Sequence, residues 1–148
     1  MTMNPPPRDD NGHVVPHDHD GIDASHGVIR RISELQIVTD KAGQRRISSL
    51  AFKPSGGSNG GMSVDLEESI RAAGLDPYGY VTTPRWTGSV KFVVGDLRNE
   101  NFKVGFNPLP ENPHHGEVWG DFGRAKQRRL QTLARWFVPI EGVIIAVS

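Results

Sequence analysis

Phe102-Lys-Val-Gly-Phe106 and His115-Gly-Glu-Val-Trp119, joined by Asn107-Pro-Leu-Pro-Glu-Asn-Pro-His114, form the stretch on which the fold turns. In the first segment apolar residues alternate with polar or small ones, the period of a half-buried strand. Three prolines then restrict the backbone before the pattern resumes. On a strand over 115–119, His115, Glu117 and Trp119 share one face, while Gly116 and Val118 take the other together with His114. Val90-Lys-Phe-Val-Val94 has the same strand character. Strands at 90–94, 102–106 and 115–119 are therefore expected side by side, with 95–101 as a hairpin loop.

Working outward, Leu35-Gln-Ile-Val38 and Arg46-Ile-Ser-Ser-Leu-Ala-Phe52 flank the turn residues 39–43 and predict another hairpin. Residues 65–73 carry helix punctuation. Asp65 is a capping residue, Glu68 follows three later, Leu66, Ile70 and Ala73 share a face, and Gly74 is a stop signal. A second helix is expected over 123–137, where Leu130, Leu133, Ala134 and Phe137 make an apolar stripe and Pro139 follows. Residues 142–147 read as a final buried strand. The order strand, strand, helix, strand, strand, strand, helix, strand predicts an α+β domain with a mainly antiparallel sheet and two main helices packed on one face.

A chain of 148 residues is long enough for one domain with a substantial core. Residues 28–148 are expected to form it. Residues 1–27 have few large apolar side chains and predict a Pro/His/Asp-rich tail, ordered only where something holds it. Seventeen basic residues balance seventeen acidic ones, so any charged partner must be recognised through a local patch. Cysteine is absent, which excludes disulfides, thiolate metal sites and cysteine nucleophiles. The first ten residues lack the apolar run of a secretory signal, and no run is long enough to span a bilayer. A soluble cytoplasmic protein without a membrane partner is expected.

Arg45-Arg-Ile-Ser-Ser-Leu-Ala-Phe52, Met62-Ser-Val-Asp65 and the proline-rich turn leading into His115, Gly116, Glu117 and Val118 resemble a family of small uncharacterised bacterial proteins. The resemblance spans about residues 28–137 and implies a shared fold. No activity is known for that family. His114 stands where the pattern has a small residue, and Asn107 and Asn112 stand where it has acids.

Several chemistries fit the residue types. His115 can act as acid or base, with Glu117 orienting it, Arg46 binding an anion and Ser48 or Ser49 hydrogen bonding; such a set suits a metal-independent enzyme on phosphodiester or nucleotide substrates. The same residues also fit an ordinary hydrogen-bonded sheet surface. His17-Asp-His-Asp20 offers alternating imidazole and carboxylate ligands, a weak metal candidate because a tail imposes no ligand geometry. From Asp121 onward five basic residues face two acidic ones, and Arg124, Arg128 and Arg135 on one helical side would suit a polyanion or an acidic protein. The glycines of 55–61 lack the ending of a phosphate-binding loop. Tyr78, Tyr80 and Trp86 either line a groove or cover the core. No cofactor is expected. The favoured expectation is a bacterial binding or accessory module that uses the His115 surface and the basic helix, with the enzyme as its alternative.

Overall fold

Val28 and Ile29 are adjacent in sequence and both fully buried, so the strand that carries them is covered on both faces. That strand is β1 (Gly27–Ile32), near the middle of a six-stranded sheet in the computed structural model, which describes residues 3–56 and 59–146. Its partners are β4 (Met62–Leu66) and β5 (Gly88–Val93). Beyond β4 lie β7 (His115–Trp119) and then β6 (Lys103–Phe106); beyond β5 lies β8 (Arg135–Val138). Every pairing in this sheet is antiparallel. A smaller sheet holds β2 (Ile37–Thr39), β3 (Arg45–Ile47) and β9 (Val143–Ile144), the last parallel to β3.

The molecule is thus an α+β domain built on a mainly antiparallel sheet, as the alternating patterns indicate. Its main core lies on the Val28 side, where Ile32, Val64, Phe92 and Val118 meet Phe52 and Leu130. On the Ile29 side a smaller cluster joins Ile29 to Ile70 and Val81, with Tyr80 and Phe137 against it.

Several elements differ from the sequence expectation, each for a local reason. Asp65 does not cap a helix. Residues 62–66 alternate apolar and polar and continue as β4, so the helix α1 (Glu67–Ala72) begins two residues later with Glu67 and Glu68 in its first turn, where the helix dipole favours acids. Its end is as read: Gly74 takes φ +77°, and Leu75 N–H reaches Ile70 O at 3.2 Å. A one-turn helix, α2 (Pro77–Tyr80), follows, capped by Asp76. Residues 95–101 are not a hairpin loop, because Val94 and Leu97 bury themselves in α3 (Val94–Asn99). β5 and β6 are consequently not neighbours; β7, β4 and β1 lie between them.

The strand expected over 46–52 stops at Ile47, where the Ser48 hydroxyl accepts the Leu50 N–H and starts a 3-10 turn (Ser49–Ala51). The last long helix, α4 (Arg124–Leu133), ends four residues before Phe137. Ala134 turns extended, and in the following strand, rich in the strand formers Trp136, Phe137 and Val138, Arg135, Trp136 and Val138 pair with β5 while Phe137 falls at a shift of register. Phe137 therefore stacks on Tyr78 at 4.1 Å between ring centroids rather than continuing the Leu130 stripe. Of the glycine-rich segment, Gly57 and Ser58 lie outside the described residues, as does Val147 of the expected final strand.

The amino-terminal segment is held by its histidines. His17 accepts the Phe106 N–H through Nε2 (3.1 Å) and donates from Nδ1 to Val15 O (2.8 Å). His19 donates from Nε2 to Asn4 O (2.8 Å) and accepts the Gly21 N–H through Nδ1 (2.9 Å). The His17 ring lies 5.2 Å from that of Trp119, over Gly105, where an added Cβ would come within 2.5 Å of Trp119 and 2.7 Å of His17.

Leu130→Ala should destabilise the protein by about 2–5 kcal/mol, since Leu130 is fully buried, whereas Arg128→Ala on the exposed side should change stability little. Urea unfolding of the two variants measures the difference, and equal losses would mean the helix faces are misassigned.

A second test concerns Glu67, which receives Lys91 Nζ and Arg71 Nη2, each at 2.7 Å. Burial works to raise its pKa, but these hydrogen bonds outweigh it and hold the carboxyl below its ordinary value. A depressed folded pKa gives stabilisation that is present above the unfolded value and lost as pH falls through the folded one. The stability gap between wild type and Glu67→Gln should therefore be open at neutral pH and close on the acid side of the ordinary carboxylate pKa. Thermal unfolding across that range checks it; a gap that stays constant would discard the linkage.

Candidate functional site

β1 pairs with β5 along all six of its residues, but its register with β4 covers only Val28↔Leu66 and Ile29↔Asp65. Beyond that point the two strands part. Arg30 fills the fork on the core side: Nη1 donates to Ser63 O at 2.9 Å and to Ser55 Oγ at 3.1 Å, and Nε and Nη2 both reach Ala51 O, at 3.2 and 3.1 Å. Burial lowers the Arg30 pKa to about 10, against the opposing pull of Asp65, so the guanidinium stays charged at neutral pH.

On the other side the fork opens as a cleft of about 480 Å³. Arg31 grips Asp65 with two hydrogen bonds, Nε to Oδ2 at 2.8 Å and Nη2 to Oδ1 at 3.1 Å. Asn112 Nδ2 adds a third to Asp65 Oδ1 at 2.8 Å, and the Tyr80 hydroxyl donates to Asn112 Oδ1 at 2.6 Å. Burial first, then the Asp65 charge, raises the Tyr80 pKa, which keeps its hydroxyl a donor. Asn112 is presented by a tight turn closed by paired Leu109 and Asn112 backbone hydrogen bonds of 3.0 Å each. Trp86, Leu109 and Glu111 complete the wall.

His115 stands directly across from Asp65 on β7, so both side chains point to the cleft side of the sheet. Its Nδ1 lies 2.7 Å from Asn107 O and its Nε2 3.1 Å from Ser63 Oγ. Ser63 also lines the cleft. The neighbouring His114 points away to Ser69 Oγ, with Nδ1 at 2.7 Å, and meets the Tyr80 ring edge-on.

The residues proposed from sequence are only partly brought together. Glu117 shares the face of His115 but is hydrogen bonded to Asn59 Nδ2 and to Asn107 Nδ2, the latter at 3.3 Å, with no hydrogen bond to His115. Arg46 and Ser48 belong to the small sheet and its 3-10 turn and do not line the cleft, and neither does Ser49. Arg124 and Arg128 are exposed on α4, but Arg135 lies on β8, where Nη1 donates to Thr132 O (2.8 Å) and Ala134 O (2.9 Å). The three do not form one helical stripe, because the helix ends at Leu133. Lys126 and Arg129 are both paired with Glu100.

In the tail, Asp18 binds Arg98 (2.9 Å) and the Val104 N–H (3.0 Å), and Asp20 is exposed. Among the described residues no three His, Cys, Asp or Glu side chains are grouped to hold a metal ion.

Sequence reasoning missed Arg31, Ser63, Asp65, Tyr80 and Asn112 as one group. Only the polar positions of the Met62–Leu66 alternation carried a signal, since they place Ser63 and Asp65 on one face. No family model matches the chain, and no curated protein or solved structure matches it either.

Arg31→Ala should cost roughly 2–3 kcal/mol, the scale of losing charge-assisted hydrogen bonds and leaving the Asp65 carboxylate buried without its cation. Tyr80→Phe, which removes one neutral hydrogen bond, should cost about 1 kcal/mol. Chemical denaturation ranks the pair, and a costlier Tyr80 variant would contradict the assignment of Asp65 as the centre of the network.

Proposed function

We propose that the cleft at the β1/β4 fork binds a small organic ligand, making the chain a binding or accessory module centred on the His115 surface. The observation that carries this reading is the continuous hydrogen-bonded chain Arg31–Asp65–Asn112–Tyr80 along one wall. Its members hold one another in place, so a ligand meets donors and acceptors already oriented and loses less entropy on binding. Trp86 and Leu109 add apolar surface to the polar groups of the lining, the mixture typical of a small-molecule site. Arg30 and Arg31 are balanced by Asp65 and Glu111, which favours a neutral polar ligand carrying a ring or chain over a phosphate.

The alternative, an enzyme on phosphodiester or nucleotide substrates built on His115 and Glu117, draws support from the placement of both groups on one strand face. It lacks a cationic surplus in the cleft. A polyanion or protein partner would instead use Arg124 and Arg128 on α4.

A thermal-shift panel of neutral and anionic small molecules separates these readings. A cleft ligand at a hundredfold excess over its Kd should add about 2.7 kcal/mol of stability. That shift should vanish in Trp86→Ala and survive in the Arg124→Ala/Arg128→Ala double variant. Stabilisation by anions alone, lost in the double variant and weakening with salt, would move function to α4. No stabiliser from a broad panel would remove the cleft proposal.

A further inference from the structure

The two hydrogen bonds of His115 determine where its proton sits. A carbonyl oxygen only accepts, so Nδ1, 2.7 Å from Asn107 O, carries the hydrogen of the neutral ring. Nε2 is then a bare acceptor, and at 3.1 Å it takes the hydrogen of the Ser63 hydroxyl. A serine donating to an imidazole whose other nitrogen is held by an acceptor is the arrangement that activates a serine nucleophile. Ser63 lines the cleft, whereas the second serine–histidine contact, Ser69 with His114, does not. Among the described residues His114 Nε2 has no hydrogen-bond partner, so nothing fixes its tautomer.

From this geometry we propose that Ser63 and His115 form a nucleophile–base pair and that the cleft hydrolyses neutral carboxylic esters. The proposal rests on the cleft being the ligand site. The Ser63 oxygen attacks the ester carbonyl carbon while its proton passes to His115 Nε2. The carbon–oxygen bond to the alkoxy group then breaks, and His115 returns the proton to the departing oxygen, releasing an alcohol and leaving an acyl-Ser63. Water loses a proton to Nε2 as it attacks the acyl carbon. Ser63 departs, recovers that proton, and the carboxylic acid is freed. Bonds and protons balance with water as the only co-reactant.

Neighbouring groups supply the rest. Arg31 spends Nε and Nη2 on Asp65, and among the described residues its Nη1 has no partner, so that N–H is left for the oxyanion of the tetrahedral intermediate. Trp86 and Leu109 provide the apolar surface for the acyl or alkoxy group. The balanced charge of the wall selects a neutral ester rather than a phosphoester. Glu117 acts at one remove: its carboxylate holds the side chain of Asn107, the residue whose carbonyl orients His115. It is a positioning residue.

The test is covalent labelling of the full chain with phenylmethylsulfonyl fluoride, a small aromatic serine-directed sulfonylating agent, followed by intact-mass measurement and peptide mapping. One equivalent should be incorporated at Ser63, with labelling slowing in acid, as attack assisted by an imidazole base does. Ser63→Ala should abolish it, Ser69→Ala should leave it unchanged, and His115→Gln should slow it by roughly a hundredfold, the scale of a lost general base. Glu117→Ala should slow labelling by releasing Asn107, and Glu117→Gln, which keeps an oxygen to accept from the Asn107 amide, should restore the wild-type rate. Wild-type labelling at Ser69, labelling indifferent to pH, or a folded His115→Gln variant labelled at the wild-type rate would each overturn the dyad. No labelling in a protein that still binds neutral ligands through Trp86 would overturn the chemistry alone. No labelling and no such binding would take down the cleft reading with it.

Discussion

The parting of β1 from β4 after two residue pairs is the constraint around which the rest of the molecule is arranged. An antiparallel sheet that opens in its middle leaves buried carbonyls without ladder partners, and each costs free energy unless something replaces the lost donor. Arg30 does so with its guanidinium, satisfying Ser63 O and Ala51 O together and tying the large sheet to the 3-10 turn. The next residue, Arg31, projects to the opposite face because strand side chains alternate, and there it meets Asp65. Two consecutive arginines thus do separate tasks. One closes the fork from behind and the other furnishes the cleft in front.

This division explains why the sheet was legible in parts. Strands with one polar and one apolar face announce themselves by alternation, and 90–94, 102–106 and 115–119 were read for that reason. β1 shows no alternation: Val28 and Ile29 are both covered, and Arg30 and Arg31 follow one another on a strand whose neighbours change from paired to parted. β4 did alternate, but Asp65 followed three residues later by Glu68 imitates a helix start, and that local signal outweighed the period of the preceding residues. β8 was absorbed into the preceding helix because Phe137 sits at a helical spacing from Leu130. In the structure it is a strand residue that packs against Tyr78 and the smaller cluster. In each case local pattern was overruled by which element was free to cover which face.

The site shows the same limit more sharply. His115 and Asn112 come from one proline-rich turn, so their proximity was within reach of sequence reasoning. Arg31, Ser63 and Tyr80 arrive from three other elements, and only the pairing of β4 with both β1 and β7 brings them to one cleft. Residue type alone favoured Arg46 and Ser48, which are chemically equivalent but belong to another sheet. The tail histidines reverse the expectation in another way. His17 and His19 are ordered by hydrogen bonds and by aromatic contacts with Trp119 and Phe106, and so serve to fasten a segment poor in large apolar side chains.

What separates the cleft from an ordinary polar surface is the distribution of satisfied and unsatisfied valences. Asp65 is engaged on both oxygens by Arg31 and Asn112, and Glu117, held through Oε2 by Asn59 and Asn107, does not line the cleft, so neither carboxylate serves as the proton acceptor there. Their negative charge is instead used to hold neighbouring groups still. That leaves the imidazole of His115, with one nitrogen committed to a backbone carbonyl and the other to a serine hydroxyl, as the group whose proton can move without dismantling the sheet. Moving it costs only a hydroxyl hydrogen bond, because the Nδ1 contact to Asn107 survives in both protonation states. A proton carrier that keeps its orientation through the transfer meets the geometric requirement for acid–base work, and no other described side chain in the cleft combines that property with a neighbouring nucleophile.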